Sequence, residues 1–173
     1  MSKEQFFDIG VNLTHPSFLK DLDTVIEEAL EVGVNRMCVT GSDLEESISA
    51  YQLAFSLSDI LISTAGIHPH QAKEFSQNYF SEIKDLLKKE NVKAIGETGL
   101  DYYRSEGDVE WQLDRFRKHI AVSREVGKPL IVHTRQANQD TISIMREEGA
   151  SDAGGVMHCF SEDWPTAKAA LDM

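Results

Sequence analysis

The sequence predicts an α/β protein built on a parallel sheet with helical crossovers, and three observations carry that prediction. Short apolar runs alternate six times with stretches of helical spacing. The runs are apolar throughout, as strands covered on both faces require. Nearly every run is followed at once by a polar or titratable residue, and a parallel sheet gathers such residues on one side.

The expected strands are residues 6–11, 36–40, 60–66, 92–96, 129–132 and 155–157. Between the first two, Leu22, Val25, Ile26, Ala29 and Leu30 recur at i, i+3, i+4 spacing and predict an amphipathic helix. Residues 44–57 repeat that pattern, and so do 79–87, where Ile83, Leu86 and Leu87 share a side. Residues 110–126 form the longest predicted helix, carrying Leu113, Phe116, Ile120 and Val122. Shorter helices are expected over 140–147 and 166–171. Gly33, Gly127 and Gly149 each follow a helical stretch, where a residue without a side chain most easily takes the left-handed turn that ends a helix. No linker, repeat or charge block divides the chain, so residues 1–173 are read as one domain.

The chain has 173 residues, of which 41% are hydrophobic and 27% charged, a balance that predicts a globular protein and argues against disorder. No apolar run of about 18 residues suggests a membrane span. The polar start carries neither the basic nor the apolar region of a signal peptide, so a cytoplasmic location is expected. Cys38 and Cys159 lack any paired spacing and are read as buried free thiols. The formal net charge of −12 excludes a broad electrostatic footprint on nucleic acid. A phosphate-bearing substrate would have to be drawn in locally, by bound cations and a few arginines.

The chemistry concentrates at the strand ends. Asn12 follows the first run, which holds Asp8, and Thr40, Gly41 and Ser42 follow the second. His68 follows the third, Glu97 the fourth, His133 with Thr134 and Arg135 the fifth, and His158 with Cys159 the sixth. A carboxylate and two imidazoles brought to one face, as Glu97, His133 and His158 would be, suit a divalent metal ion. Such an ion makes its bound water acidic enough to give hydroxide near neutral pH. Each of these residues also has a plain reading as a satisfied core or surface side chain. His68 and His70 flank Pro69, which makes either a rigid turn aiming an imidazole at the pocket or a stiff polar loop. Arg104 and Arg135 are either surface arginines or, beside a metal, forks for phosphate oxygens. Asp101 reads as an outer carboxylate steadying the site or as a helix cap. His15 and His119 look structural.

Five segments carry a family resemblance: Phe7-Asp8-Ile9-Gly10-Val11-Asn12-Leu13, Gly66-Ile67-His68-Pro69-His70, Ala94-Ile95-Gly96-Glu97-Thr98-Gly99-Leu100-Asp101, Pro129-Leu130-Ile131-Val132-His133-Thr134-Arg135 and Gly155-Val156-Met157-His158-Cys159-Phe160-Ser161. Together they resemble the TatD family of metal-dependent deoxyribonucleases, in order and from end to end. The resemblance implies a TIM-type (β/α) barrel and hydrolysis of DNA phosphodiester bonds, often from single-stranded or strand ends, with one or more divalent ions (Mg, Mn or Zn). It implies that Glu97, His133 and His158 are metal ligands, that His68 lies near the scissile phosphate, and that Arg104 and Arg135 hold phosphate oxygens. The alternatives are a metal hydrolase of small amides, lactones or phosphoesters, or an inert fragment. Two departures stand out. Many relatives open with a His-x-His pair where this chain has Gly10 and Asn12. The family's late aspartate, which follows a further strand, has no counterpart. The expectation is therefore an incomplete barrel of about six of the eight βα units, truncated at its C-terminus and poorly stable alone.

Overall fold

The computed structural model describes residues 5–71, 78–105 and 109–173; the expected polar start at residues 1–4 lies outside them. Six strands, β1 (Phe6–Val11), β2 (Val34–Val39), β3 (Leu61–Ala65), β4 (Val92–Asp101), β5 (Leu130–Arg135) and β6 (Gly155–Met157), form one sheet in sequence order, every neighbouring pair parallel. The crossovers are α1 (Leu22–Glu31), α2 (Leu44–Ser56), α3 (Tyr79–Leu87), α4 (Glu110–Val126) and α5 (Asn138–Glu147), and α6 (Trp164–Leu171) follows β6. This is the parallel, helix-wound sheet that the alternation of apolar runs predicts. Helix starts follow side-chain chemistry. Asp43 accepts the Glu46 amide at the head of α2 (2.8 Å), and Asp163 accepts the Thr166 amide at the head of α6 (3.0 Å). Gly127 ends α4 at φ 65°, the left-handed conformation its position predicts.

Two apolar clusters fill the space between sheet and helices. The larger joins Ile67, Ile83, Ile95, Leu100, Phe116 and Ile120 around α3 and α4; the smaller joins Leu13, Ile26, Val39, Ala54 and Leu61 under α1 and α2. Full burial of such side chains contributes about 1.5–3 kcal/mol each, so the middle of the sheet is the most firmly held part. No helix among the described residues is long and apolar enough to cross a membrane.

Among the element boundaries that differ from the sequence expectation, two matter for the site. β4 continues to Asp101, because a register shift between Ile95 and Thr98 absorbs one extra residue and pairing with β5 then resumes. Such a bulge turns a side chain away from its regular direction, and it falls at Gly96-Glu97. β5 likewise runs to Arg135, so His133 lies inside the strand. The glycines at 96 and 99 imitate a strand end in the sequence. Their actual role at 99 is close approach: a Cβ there would stand 2.0 Å from the His133 carbonyl oxygen. Cys38 is buried as expected, and burial, helped by the charge of Asp8, pushes its thiol up to about 12. Cys159 is exposed, against expectation, because it follows an edge strand that pairs only with β5.

Candidate active site

Three strands bring three predicted residues together. His68 stands just beyond β3, Glu97 at the β4 bulge and His133 in β5. The His133 Nδ1 lies 3.0 Å from Glu97 Oε1, and the His68 Nε2 lies 3.6 Å from the same oxygen. Their side chains keep only 12–17% of their surface exposed. Backbone bonds set the placement: the Glu97 amide donates to the Gly41 carbonyl (2.9 Å) and the His68 amide to the Ser42 carbonyl (2.8 Å). The residues after β2 thus help to fix both.

A second arrangement lies behind the first. Asp101, completely buried at the end of β4, accepts from His70 Nε2 (2.5 Å) and from His133 Nε2 (3.0 Å) through one oxygen, and from the Arg104 amide (2.9 Å) through the other. Arg104 Nη1 reaches His70 Nδ1 at 3.4 Å. If Arg104 donates there, the His70 proton sits on Nε2, facing Asp101. Asp101 in turn favours a proton on His133 Nε2, which leaves the lone pair of neutral His133 on Nδ1, facing Glu97. The His68 ring is fixed as well. Its Nδ1 accepts the His70 amide (3.0 Å), so its neutral form carries the proton on Nε2 and presents a donor to the pocket.

The electrostatics follow from this geometry. Burial pushes the Glu97 carboxyl up, but hydrogen bonds from His133, in its charged form, and from His68, with the charges of His68 and His158, outweigh it and hold the group far below the usual carboxylate range. Burial also pushes Asp101 up, and the Arg104 amide, His70 and His133 reverse that and keep it low. His133 is pushed down by burial and raised overall by the two carboxylates it faces. His70 is lowered, mainly by burial, despite its bond to Asp101.

This donor set fits a divalent ion. Two ligand atoms about 2.0–2.2 Å from one tetrahedral ion stand roughly 3.4 Å apart, close to the 3.0 Å between Glu97 Oε1 and His133 Nδ1. One ligand atom each from His68, Glu97 and His133 fall within 4.8 Å of one another, and so do those from His70, Asp101 and His133. A histidine that offers one nitrogen to an ion and donates the other N–H to a carboxylate is the usual arrangement in metal sites.

His158 lies outside both groups. It follows β6, its amide bonded to Val132 (2.8 Å), and its charge bears on Glu97. Its ring crosses to β1, where a Cβ added to Gly10 would meet His158 Cε1 at 2.1 Å. The missing side chain at position 10 is therefore the space that His158 fills. Arg104 is exposed beside His70, while Arg135 stacks its guanidinium 4.0 Å above the ring of Tyr103, itself 56% exposed. Sequence reasoning gave His70 little weight and left Asp101 between two roles. The signal for Asp101 was an acid directly after the apolar Leu100 in a strand covered on both faces. His119, expected to be structural, is fully buried in α4 and bonds to the amide of Ile67.

The family model described as TatD related DNase matches residues 7–173. The chain belongs to the TatD family. It is 39% identical over 165 residues to the 3′-5′ ssDNA/RNA exonuclease TatD of Erwinia tasmaniensis, covering 95% of this chain and 64% of that protein. It is 35% identical over 167 residues to the uncharacterized metal-dependent hydrolase YabD of Bacillus subtilis, covering 96% and 65%. Among solved structures, the TatD homolog YJJV of Escherichia coli superposes with a TM-score of 0.90 at 22% identity, over 96% of this chain and 64% of that one. A TatD family hydrolase from Entamoeba histolytica gives 0.85 at 29% identity, over 98% and 62%. The chain therefore spans just under two thirds of the length of these TatD relatives, and its six parallel strands form the corresponding part of their barrel-like fold.

Proposed function

We propose that this chain carries the metal centre of a phosphodiesterase that removes nucleotides from the ends of single-stranded DNA or RNA. The observation that carries the reading is the orientation of His133, whose Nε2 is held by buried Asp101 while its Nδ1 faces Glu97. The names of the Erwinia and Bacillus relatives, an ssDNA/RNA exonuclease and a metal-dependent hydrolase, support it.

In this reading Glu97 and His133 would hold a divalent ion of the magnesium, manganese or zinc type, and His158, outside their cluster but near enough for its charge to bear on Glu97, would complete the ligand set. When bound, the ion supplies an acidified water and polarises a phosphoryl oxygen. His68 directs its Nε2–H at the phosphate, stabilising charge that grows as the bond breaks. Arg104 and Arg135 supply the local positive charge that a chain of net charge −12 otherwise lacks. Arg135 and Tyr103 also form a flat platform on which a nucleobase can stack. These arginines favour a phosphodiester over a small amide or lactone.

The test is release of nucleotides from a single-stranded oligonucleotide by the full-length protein, with added Mg²⁺, Mn²⁺ or Zn²⁺ and with a chelator. Release should require the metal and fall at least about 10³-fold in Glu97→Ala. Undiminished release by Glu97→Ala would remove Glu97 from the ligand set. No release under any metal would end the nuclease reading.

A further inference from the structure

Helix α4 presents to the protein interior a polar stripe that an amphipathic crossover does not need. Gln112 and His119 are fully buried and Arg115 is 5% exposed, alongside the apolar Phe116 and Ile120. Residues three, four and seven apart share a helix face, so the three polar groups line up. A buried polar group left unpaired costs about 1–3 kcal/mol, so their bonding partners are informative. Those partners lie in the two loops that frame the candidate site.

Gln112 acts as a substitute peptide group. Its Oε1 accepts the Asp101 amide (2.9 Å), and its Nε2 donates to the Asp101 carbonyl (3.2 Å) and to the Ser105 hydroxyl. The end of β4 is thus bonded to α4 at the residue that fixes His70 and His133. His119 does the same for β3. Its Nδ1 donates to the Arg115 carbonyl (2.8 Å), which leaves Nε2 to accept the amide of Ile67, the residue before His68, at 3.1 Å. Arg115 closes the set by donating from Nη1 to the carbonyls of His68 (3.4 Å) and Gln71 (3.3 Å). The Phe80 ring, 5.0 Å from the His119 ring, braces the imidazole from α3.

We infer that the Gln112–Arg115–His119 stripe of α4 is the template that sets the relative position of the His68–Gln71 and Asp101–Ser105 loops, so that these three are positioning residues for the site. They act through Ile67, His68 and Asp101. The inference rests on the function proposed above for the choice of site, while its geometry stands apart from any catalysis. A template of this kind matters because a misplacement of about 1 Å can cost roughly 100-fold in rate.

Three measurements on the full-length protein test it. In the unsubstituted protein, the amides of Ile67 and Asp101 should exchange hydrogen as slowly as the α4 interior, because opening them requires the helix to part from both loops. Exchange of either at the rate of exposed loop amides would overturn the inference without any variant. In His119→Phe and Gln112→Leu, which keep bulk and lose the bonds, the ring ¹⁵N resonances of His68 and His70 in the metal-free protein should move. In the same variants kcat should fall about 10- to 100-fold with KM changed less than about threefold. Variants that melt cooperatively yet keep both ring resonances and kcat within about twofold of the parent would overturn it. If a variant does not fold, the exchange measurement decides alone. Failure of the nuclease reading is distinguishable, since the unsubstituted protein would then release no nucleotide whatever its amides and ring nitrogens show.

Discussion

The middle of the sheet and its two edges are written in similar residues and behave differently. β3, β4 and β5 are apolar runs that carry a titratable residue at or near the C-terminal end, and Ala65, Ile95 and Leu130 within them are 0–1% exposed. β1 and β6 have the same form, yet Phe6 and Phe7 are 53% and 51% exposed and Val156 is 38% exposed. The middle strands have neighbours on both sides and helices over them; β1 and β6 each pair with one strand. The site residues follow that division. His68, Glu97 and His133 come from the firmly held middle and converge, whereas His158, next to an edge strand, stands apart from them. An apolar run announces a strand without stating how many sides of it are covered, and coverage is what holds a carboxylate among imidazoles at about 3 Å.

The largest effect that can break this comparison is on stability. Ile95→Ala, in the β4 core, should cost about 2–5 kcal/mol, read as a lower urea midpoint with an unchanged slope. Phe7→Ala, on exposed β1, should cost under about 1 kcal/mol. Equal losses would mean that β1 is covered in solution, and the contrast between middle and edge would fail.

A second effect, of about 3 kcal/mol, comes from His119 in the same middle region. Burial, aided by the charge of Arg115 and opposed by the hydrogen bond to the Arg115 carbonyl, lowers its imidazole to about 4. The unfolded chain protonates near the ordinary value of about 6.5. Between these two values the unfolded state therefore binds more protons than the folded one. The contribution is fully present above about 6.5 and is lost as pH falls towards 4. In His119→Phe the decline of unfolding free energy over that window should be shallower by about that amount, while Phe7→Ala should leave the slope unchanged. An identical slope in His119→Phe and parent would show that the imidazole is already charged in the folded protein.

Much of this was legible in the sequence, for reasons that particular residues make plain. Strand order and crossovers follow from periodicity, because apolar spacing is dictated by which faces are covered. That Glu97 and His133 meet could be expected from parallel strands alone, but the third residue expected with them was His158, and the structure puts His68 there instead. The bulge at Gly96-Glu97 could not, since two glycines around an acid read equally well as a loop, and only the register with β5 reveals that pairing resumes. The double use of Asp101 was hidden because its partners, His70 and His133, lie 31 and 32 residues away. The α4 stripe was hidden as a set: His119 alone reads as structural, while Gln112 and Arg115 are residue types as common on a solvated face, and only the structure turns all three inward. The position of His158 against Gly10 depends on a contact between the two edge strands, which no local pattern encodes.

The smallest expected effect sharpens the comparison at its outer surface. Tyr103 and Phe7 are nearly equally exposed, at 56% and 51%, so exposure alone cannot tell a binding surface from an uncovered edge. Tyr103 differs in being stacked under Arg135, two residues from Asp101 and two from His133 through that partner. Loss of one base–aromatic stack costs about 1–3 kcal/mol, so Tyr103→Ala should weaken binding of a single-stranded oligonucleotide by roughly 5- to 150-fold in fluorescence anisotropy. Tyr103→Trp should retain it, because the platform and its guanidinium partner survive. Phe7→Ala should leave it unchanged. An oligonucleotide with an abasic terminus should bind Tyr103→Ala and the parent alike, since it has no terminal base to stack. Equal loss on replacing Tyr103 and Phe7 would assign nucleic-acid contact to general surface apolarity, and the distinction between mouth and edge would then have no functional content.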